Sequence, residues 1–288
     1  KVAMTESRVF ICGPTGSGKE LVARKIHKIS NRKNKPFTIL NGALLDVKKY
    51  EQELFGEEKR DGSISYGALE KSSGGVLLID EVSEIPLETQ SKILRVLIDQ
   101  KFKRINGNHD IKVDVRIICS TSKDINNEIS QGNFREDLFH RLNVFQINID
   151  PLNKRAQDIP LLIEYFCGKI AENYNLKKFD IDSHNHNLID YLWPGNVREL
   201  RNLIERIAIL SPDSSEKTFN IIKESLKIGD YEEISQEKSL SKPLKEAREN
   251  FEKEYLSSQL KKFGGNVSKM AKFIGMERSA LHRKLKGL

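Results

Sequence analysis

Val9-Phe10-Ile11-Cys12-Gly13-Pro14-Thr15-Gly16-Ser17-Gly18-Lys19 reads as an apolar strand, a glycine loop and a helix starting near Gly18. The glycines let the backbone curl until successive N–H groups of Gly13, Thr15, Gly16, Ser17 and Gly18 face one point. The helix N-terminus adds its partial positive charge there, and such a point suits a triphosphate. Lys19 then reaches the β- and γ-phosphates, so the loop implies ATP as ligand. A glycine pattern of this kind occurs by chance in other settings; its place between a strand and a helix gives it weight.

A second motif supports the first. Gly74-Gly75-Val76-Leu77-Leu78-Ile79-Asp80-Glu81 is an unbroken apolar run ending in two carboxylates. Such a run suits a parallel strand buried on both faces. Its carboxylates then emerge at the strand's C-terminal end, where open α/β sheets bind ligands. Asp80 is expected to hold Mg2+ through water, and Glu81 to polarise the attacking water. Taken alone, the run is equally a buried strand closed by a solvated acidic turn. After Lys19 stands Glu20, where a Ser or Thr hydroxyl normally ligates magnesium; this leaves Asp80 and water to hold the metal.

Composition sets the frame. The chain has 288 residues, 31% charged and 38% hydrophobic, enough for two or three globular units. It shows no membrane-spanning run and no secretory signal. Cys12, Cys119 and Cys167 lack metal-ligand spacing and read as reduced core thiols of a cytoplasmic protein. The net charge of +7 is concentrated: residues 261–288 hold eight Lys or Arg against Glu277 alone, and residues 1–260 balance. A terminal block carrying the whole excess is the footprint of a polyanion partner.

Apolar runs at 9–12, 37–40, 76–79, 115–119 and 144–149 predict strands. Helical patterns at 19–30, 43–54, 87–100 and 123–131 lie between them, so the fold class is α/β with a parallel sheet. After Pro151 strands cease, and 158–174 and 196–210 read as amphipathic helices. The expected domains are an α/β ATPase core over 1–150, a helical lid over 151–211, a linker over 212–242 with one short helix near 217–227, and an all-α unit over 243–288. The last holds a helix over 244–263 and two short helices, 267–273 and 278–286, separated by Gly275.

Short helix, glycine turn, short helix is the helix-turn-helix pattern. Arg278, Ser279, His282 and Arg283 project from its second helix as candidates for base edges of double-stranded DNA, with Lys284 and Lys286 for phosphates. A unit this small implies dimeric presentation to two half-sites about 34–36 Å apart. The alternative is a small bundle with a charged exterior. In Phe134–Leu142, Arg135 and Arg141 are candidate arginine fingers for a neighbour's nucleotide, although spacing alone equally describes surface ion pairs. Trp193-Pro194-Gly195-Asn196-Val197-Arg198 predicts a helix capped by Asn196, from which Arg198 reaches a γ-phosphate. His184-x-His186 reads as polar loop rather than metal site.

Taken together, Gly13–Arg24, Glu53–Lys59, Leu94–Leu97, Val113–Ile118, Phe134–Leu138 and Trp193–Leu200 resemble bacterial enhancer-binding proteins, the AAA+ regulators of sigma-54 RNA polymerase. The likeness covers nearly all of residues 8–210. Gly264–Ser268 and Phe273–Leu285 resemble the Fis-type domain of the NtrX branch of these response regulators, proteins of two-component systems. The resemblance accounts for Glu20, common in the family after the loop lysine. It implies that Arg135 and Arg141 act in trans within a ring oligomer, that Arg198 is a lid sensor and that Arg155 keeps one position of a family arginine run. It further implies that Asn41 holds the catalytic Glu81 until nucleotide and target are engaged.

The chain departs from the family in places. Gly56-Glu57-Glu58-Lys59 is followed by Arg60–Tyr66, a shorter loop without the aromatic-threonine tip that contacts sigma-54. ATP hydrolysis is thereby left without an evident lever on the polymerase. Ser122 stands where the family's γ-phosphate-sensing strand usually ends in Asn. The chain begins close to the phosphate loop, so an adenine-enclosing segment and a receiver domain are expected to be missing. The resulting expectation is a DNA-binding transcription regulator with an ATP-binding AAA+ domain. The alternative is an active polymerase-remodelling ATPase.

Overall fold

The computed structural model describes residues 1–44, 47–176, 179–182, 186–210, 215–226, 255–256, 259, 263 and 266–286. Two compact units make up the chain, Lys1–Thr218 and Phe219–Leu288.

The first unit is built on a parallel sheet. Its strands are β1 (Val9–Cys12), β2 (Phe37–Asn41), β5 (Val76–Asp80), β8 (Arg116–Thr121) and β9 (Phe145–Asn148), in the order β2-β5-β8-β1-β9. The most apolar runs take the inner places: β8 is buried at all six residues and β5 at Val76–Ile79. Alternation along the strands then divides the core. Phe10, Leu77, Ile79, Ile117 and Cys119 face the helices α2 (Val47–Phe55), α4 (Leu87–Asp99) and α6 (Glu136–Leu142). Val9, Ile11, Val76, Leu78 and Ile118 face Ala23 and Ile26 of α1 (Lys19–Lys28). The period of two that sends successive side chains to opposite faces explains this split. Cys12, Cys119 and Cys167 are free thiols, and burial raises the pKa of each.

All five predicted strands form, each within two residues of its expected ends. Sequence patterning missed the small elements around the sheet. An antiparallel hairpin joins β3 (Gly56–Glu58) to β4 (Ile64–Tyr66), α3 (Ala68–Lys71) follows, and β6 (Lys101–Phe102) pairs with β7 (Ile111–Lys112). The hairpin tip closes on itself: Lys59 N–H donates to Ser63 O, Gly62 N–H to Lys59 O, and Ser63 N–H to Asp61 Oδ1. Its base is bolted to the core through Arg104. That guanidinium donates to Glu58 at 3.0 Å and to both oxygens of Glu70 at 2.8 and 2.6 Å, and it covers the Tyr66 ring. Ile105 exchanges backbone hydrogen bonds with Gly56 and Glu58.

Beyond α5 (Ile125–Ser130) and β9, the lid comprises α7 (Ile159–Tyr174), α8 (His186–Ile189) and α9 (Asn196–Leu210). Ile159, Ile163, Cys167 and Ile170 of α7, with Leu200, Leu203, Ile204 and Ile207 of α9, are buried at helical spacing. The helix α10 (Ser215–Ser225) follows. Most of the expected helix over 244–263 and most of the expected linker lie outside the described residues, as does His184.

In the second unit α11 (Val267–Ile274) and α12 (Arg278–Lys286) form the helix-turn-helix. Asn266 caps α11 by accepting from Lys269 N–H, and Gly275 ends it at φ +68°, a left-handed conformation that suits glycine. Leu256, Met270, Ala271 and Leu281 form the small core, with Ile274 and Leu285 packed against it.

Candidate functional site

The sheet order determines what can meet. β8 lies between β5 and β1, so the ends of all three strands bring Asp80–Glu81, Thr121–Ser122 and the phosphate loop to one edge. Gly18 precedes α1 at φ +103°, ending the loop. Lys19, 7% exposed, donates from Nζ to Gly13 O at 2.9 Å and to Pro14 O at 3.5 Å. It also pairs with Glu81 Oε1 at 3.1 Å.

Glu81 leaves β5 in the left-handed region, φ +51°. This is a strained conformation for a residue with a side chain, and such strain gathers at functional sites. Its Oε2 accepts from both the N–H and the Oγ of Ser122, at 2.8 and 2.7 Å. Burial raises the carboxyl's pKa, but these hydrogen bonds together with Lys19 outweigh it and leave the value below the ordinary one. Asp80 Oδ1 accepts from the buried Ser120 Oγ.

Three side chains, those of Asn41, Ser122 and Asn196, have partners here other than those expected from the sequence. Asn41 accepts from Ala43 N–H at 2.9 Å, because the chain curls into a turn at Gly42–Leu44 straight after β2. The partners of the Glu81 carboxylate are Lys19 and Ser122, so Ser122, expected as a phosphate sensor, is here bonded to the carboxylate. Asn196 does not cap α9 with its side chain. It sits at φ +53°, and its Nδ2 donates to Thr15 O at 3.0 Å while Oδ1 accepts from Leu152 N–H at 2.8 Å. The role of cap falls to Glu199, whose Oε2 accepts from Gly195 N–H.

A cavity of about 410 Å³ lies between loop and lid, lined by Thr15, Gly16, Lys19, Asp80, Glu81 and Arg198 among others. Glu20 also borders it and pairs with Arg24 at 2.7 Å. Arg155 donates to Ser17 O at 2.8 Å and approaches Asp158 at 3.7 Å. Arg135 lies away from this cavity, on the surface at the start of α6. It is paired with Asp137 and held through its N–H by the buried Gln90. Arg141 is exposed near the end of the same helix. Ser120 and Gln90 gave no signal in the sequence: a lone polar residue within an apolar pattern is indistinguishable from one that merely packs.

On α12, Arg278 and His282 are exposed one turn apart, on one face. The side chains of Ser279, Arg283, Lys284 and Lys286 lie outside those described.

A strand-loop-helix cradle beside a strand ending in paired carboxylates, roofed by a helical lid, defines an AAA+ P-loop ATPase fold, here joined to a Fis-type helix-turn-helix. Residues 1–148 match the Sigma-54 interaction domain, 153–238 the AAA+ ATPase lid domain and 247–288 the bacterial regulatory protein Fis family. The chain belongs to the sigma-54 activator family of enhancer-binding-type regulators. Over its full length it is 45% identical to the nitrogen assimilation regulatory protein NtrX of Azorhizobium caulinodans, covering 65% of that protein. Over 99% of its length it is 44% identical to the putative response regulator NtrX-like of Rickettsia typhi, covering 62% of it. The chain thus spans a little under two thirds of these relatives. NtrX from Brucella abortus superimposes with a TM-score of 0.78 at 47% identity, over 99% of this chain and 65% of that one. The same protein in complex with ATP gives 0.71 at 46% identity, over 99% and 64%.

Proposed function

We propose that this chain is a DNA-binding transcription regulator, the output region of a two-component response regulator. In this reading it binds ATP between its phosphate loop and its lid and acts in the cytoplasm. The observation that carries the proposal is the cavity that joins Lys19, Asp80, Glu81 and Arg198. The residues fit a nucleotide: the loop offers backbone amides beside an ammonium group, and Ser17 Oγ is buried in the loop without a hydrogen-bond partner. The ATP complex of the Brucella abortus relative supports the same reading.

Within it, the amides of Thr15, Gly16 and Gly18 and the Lys19 ammonium hold the phosphates, the N–H groups of Gly13 and Ser17 being given to Thr121 O and Pro14 O, and Arg198 meets the phosphates from the lid. Asp80 would hold Mg2+ through water, and the metal, when bound, would neutralise phosphate charge. Among the described residues no group of three His, Cys, Asp or Glu side chains could hold a metal. Glu81 takes the proton of the attacking water once it has left Lys19 and Ser122. Arg135 or Arg141 of a neighbouring copy completes the site, which makes a ring of copies the hydrolysing form, while the helix-turn-helix units pair as dimers on double-stranded DNA. Among the described residues no helix is long and apolar enough to cross a membrane.

A second reading, an ATPase that remodels sigma-54 polymerase, is favoured by the paired carboxylates. The self-bonded tip at Lys59–Ser63, which has no apolar side chain of its own, argues against it, although Ile64 and Tyr66 beside it are exposed. The deciding experiment measures ATP turnover against protein concentration, with and without DNA, alongside ATP binding by equilibrium dialysis. A steep rise with concentration supports fingers acting in trans, and absence of ATP binding overturns the proposal.

A further inference from the structure

Three consecutive carbonyls of the phosphate loop are taken by the lid. Thr15 O accepts from Asn196 Nδ2 at 3.0 Å, Gly16 O from the backbone N–H of Arg198 at 3.3 Å, and Ser17 O from Arg155 at 2.8 Å. Loop and lid also touch backbone to backbone: a Cβ on Gly16 would come within 2.3 Å of Gly195 O. Each of these carbonyls shares a rigid peptide plane with the next residue's amide. Fixing Thr15, Gly16 and Ser17 carbonyls therefore fixes the planes that carry the amides of Gly16, Ser17 and Gly18. The lid sets the orientation of the groups on which anion recognition depends.

We propose that Asn196 is a positioning residue of the nucleotide site, and that it couples the phosphate loop to the lid; this rests on the nucleotide reading above. Asn196 is 2% exposed and its amide is fully used. Besides Thr15 O, its Nδ2 reaches Pro194 O at 3.4 Å, and its Oδ1 accepts from Leu152 N–H where the chain enters the lid. One side chain thus ties three segments: the loop, the entry to the lid and the first turn of α9. Asn tolerates the left-handed backbone at this position better than most residues. Arg155, three residues after Leu152, makes a parallel contact with Ser17 O. A phosphate that draws the loop amides toward itself must move these carbonyls, and Asn196 and Arg155 convey that movement to the lid.

The sequence contains one tryptophan, Trp193, and it reports on this turn. It is buried, its carbonyl accepts from Asn196 N–H at 2.7 Å, and its Nε1 donates to Leu188 O at 2.8 Å. The test uses the full chain and magnesium-ATP, with binding followed by equilibrium dialysis and lid response by Trp193 emission. In the unmutated protein, emission changes with the same midpoint as dialysis. Asn196→Asp keeps the acceptor for Leu152 and loses the donor to Thr15. It is expected to weaken binding by about five-fold or more and to abolish most of the emission change even at saturation. Arg155→Gln, whose substitution is less buried, is expected to act in the same direction and decides the matter if circular dichroism shows Asn196→Asp unfolded. Unchanged midpoint and amplitude in the folded variants overturn the coupling while leaving the nucleotide reading intact. Absence of ATP binding by the unmutated chain overturns that reading, and the coupling falls with it.

Discussion

Lys19 Nζ lies 3.1 Å from Glu81 Oε1, so the ammonium of the phosphate loop and the carboxylate at the end of β5 satisfy each other. Each is the partner the other must give up for the proposed chemistry: Lys19 to meet phosphate, Glu81 to meet water.

Lys19→Ala is expected to abolish measurable ATP binding in equilibrium dialysis, a loss of at least about 100-fold for a buried charge-assisted contact. Unchanged affinity would remove the phosphate-loop assignment.

Glu81→Gln is expected to bind ATP and to lose turnover by about 10²–10⁴-fold, the range for a general base. Steady-state hydrolysis at saturating ATP measures it, and a rate equal to that of the unmutated chain takes Glu81 out of the role of base.

The same substitution has a signature in stability. The folded carboxyl titrates below its ordinary value of 4.5, so the unfolded chain binds the proton more readily than the folded one. The stabilisation is therefore present at neutral pH and is lost as the pH falls through the folded value, somewhere below 4.5. The melting-temperature advantage over Glu81→Gln should shrink over that interval; an advantage independent of pH would show that the Ser122 and Lys19 bonds do not stabilise the charged form.

Arg135→Ala and Arg141→Ala each test action in trans. Either variant, inactive alone, should recover turnover when mixed with Lys19→Ala, because an intact nucleotide site then meets an intact finger. No recovery at any mixing ratio, for either arginine, would return both residues to the status of surface ion pairs.

Arg283→Ala is expected to cost about 1–3 kcal/mol at the specific DNA site while sparing binding to random DNA. Competition gel shifts at fixed salt measure it. Equal losses on both DNAs would assign Arg283 to phosphates.

The parts of the fold that could be read from the chain were those where one physical demand dominates. Val76–Ile79 reads as a doubly covered strand because four successive apolar residues between Gly74-Gly75 and Asp80-Glu81 are too few for a buried helix. The turn at Gly13–Gly18 followed from backbone freedom. The β3–β4 hairpin escaped because Gly56–Glu58 has no apolar side chain and Ile64–Tyr66 alternates over three residues only, too short a run to signal a strand; pairing there rests on the turn and on contacts remote in sequence. Asn196 looked like a cap because caps are what Asn before a helix usually provides. That its amide crosses to Thr15, 181 residues earlier, could not be inferred from local pattern. The same holds for Ser122, whose hydroxyl is shared with Glu81 only because β8 and β5 are neighbours.

The clamp of Arg104 on Glu58, Glu70 and Tyr66 has a mechanical consequence. With its root fastened to α3 and its crest closed by its own backbone, the spur at residues 56–66 carries α3 with it in any displacement that keeps the Arg104 contacts.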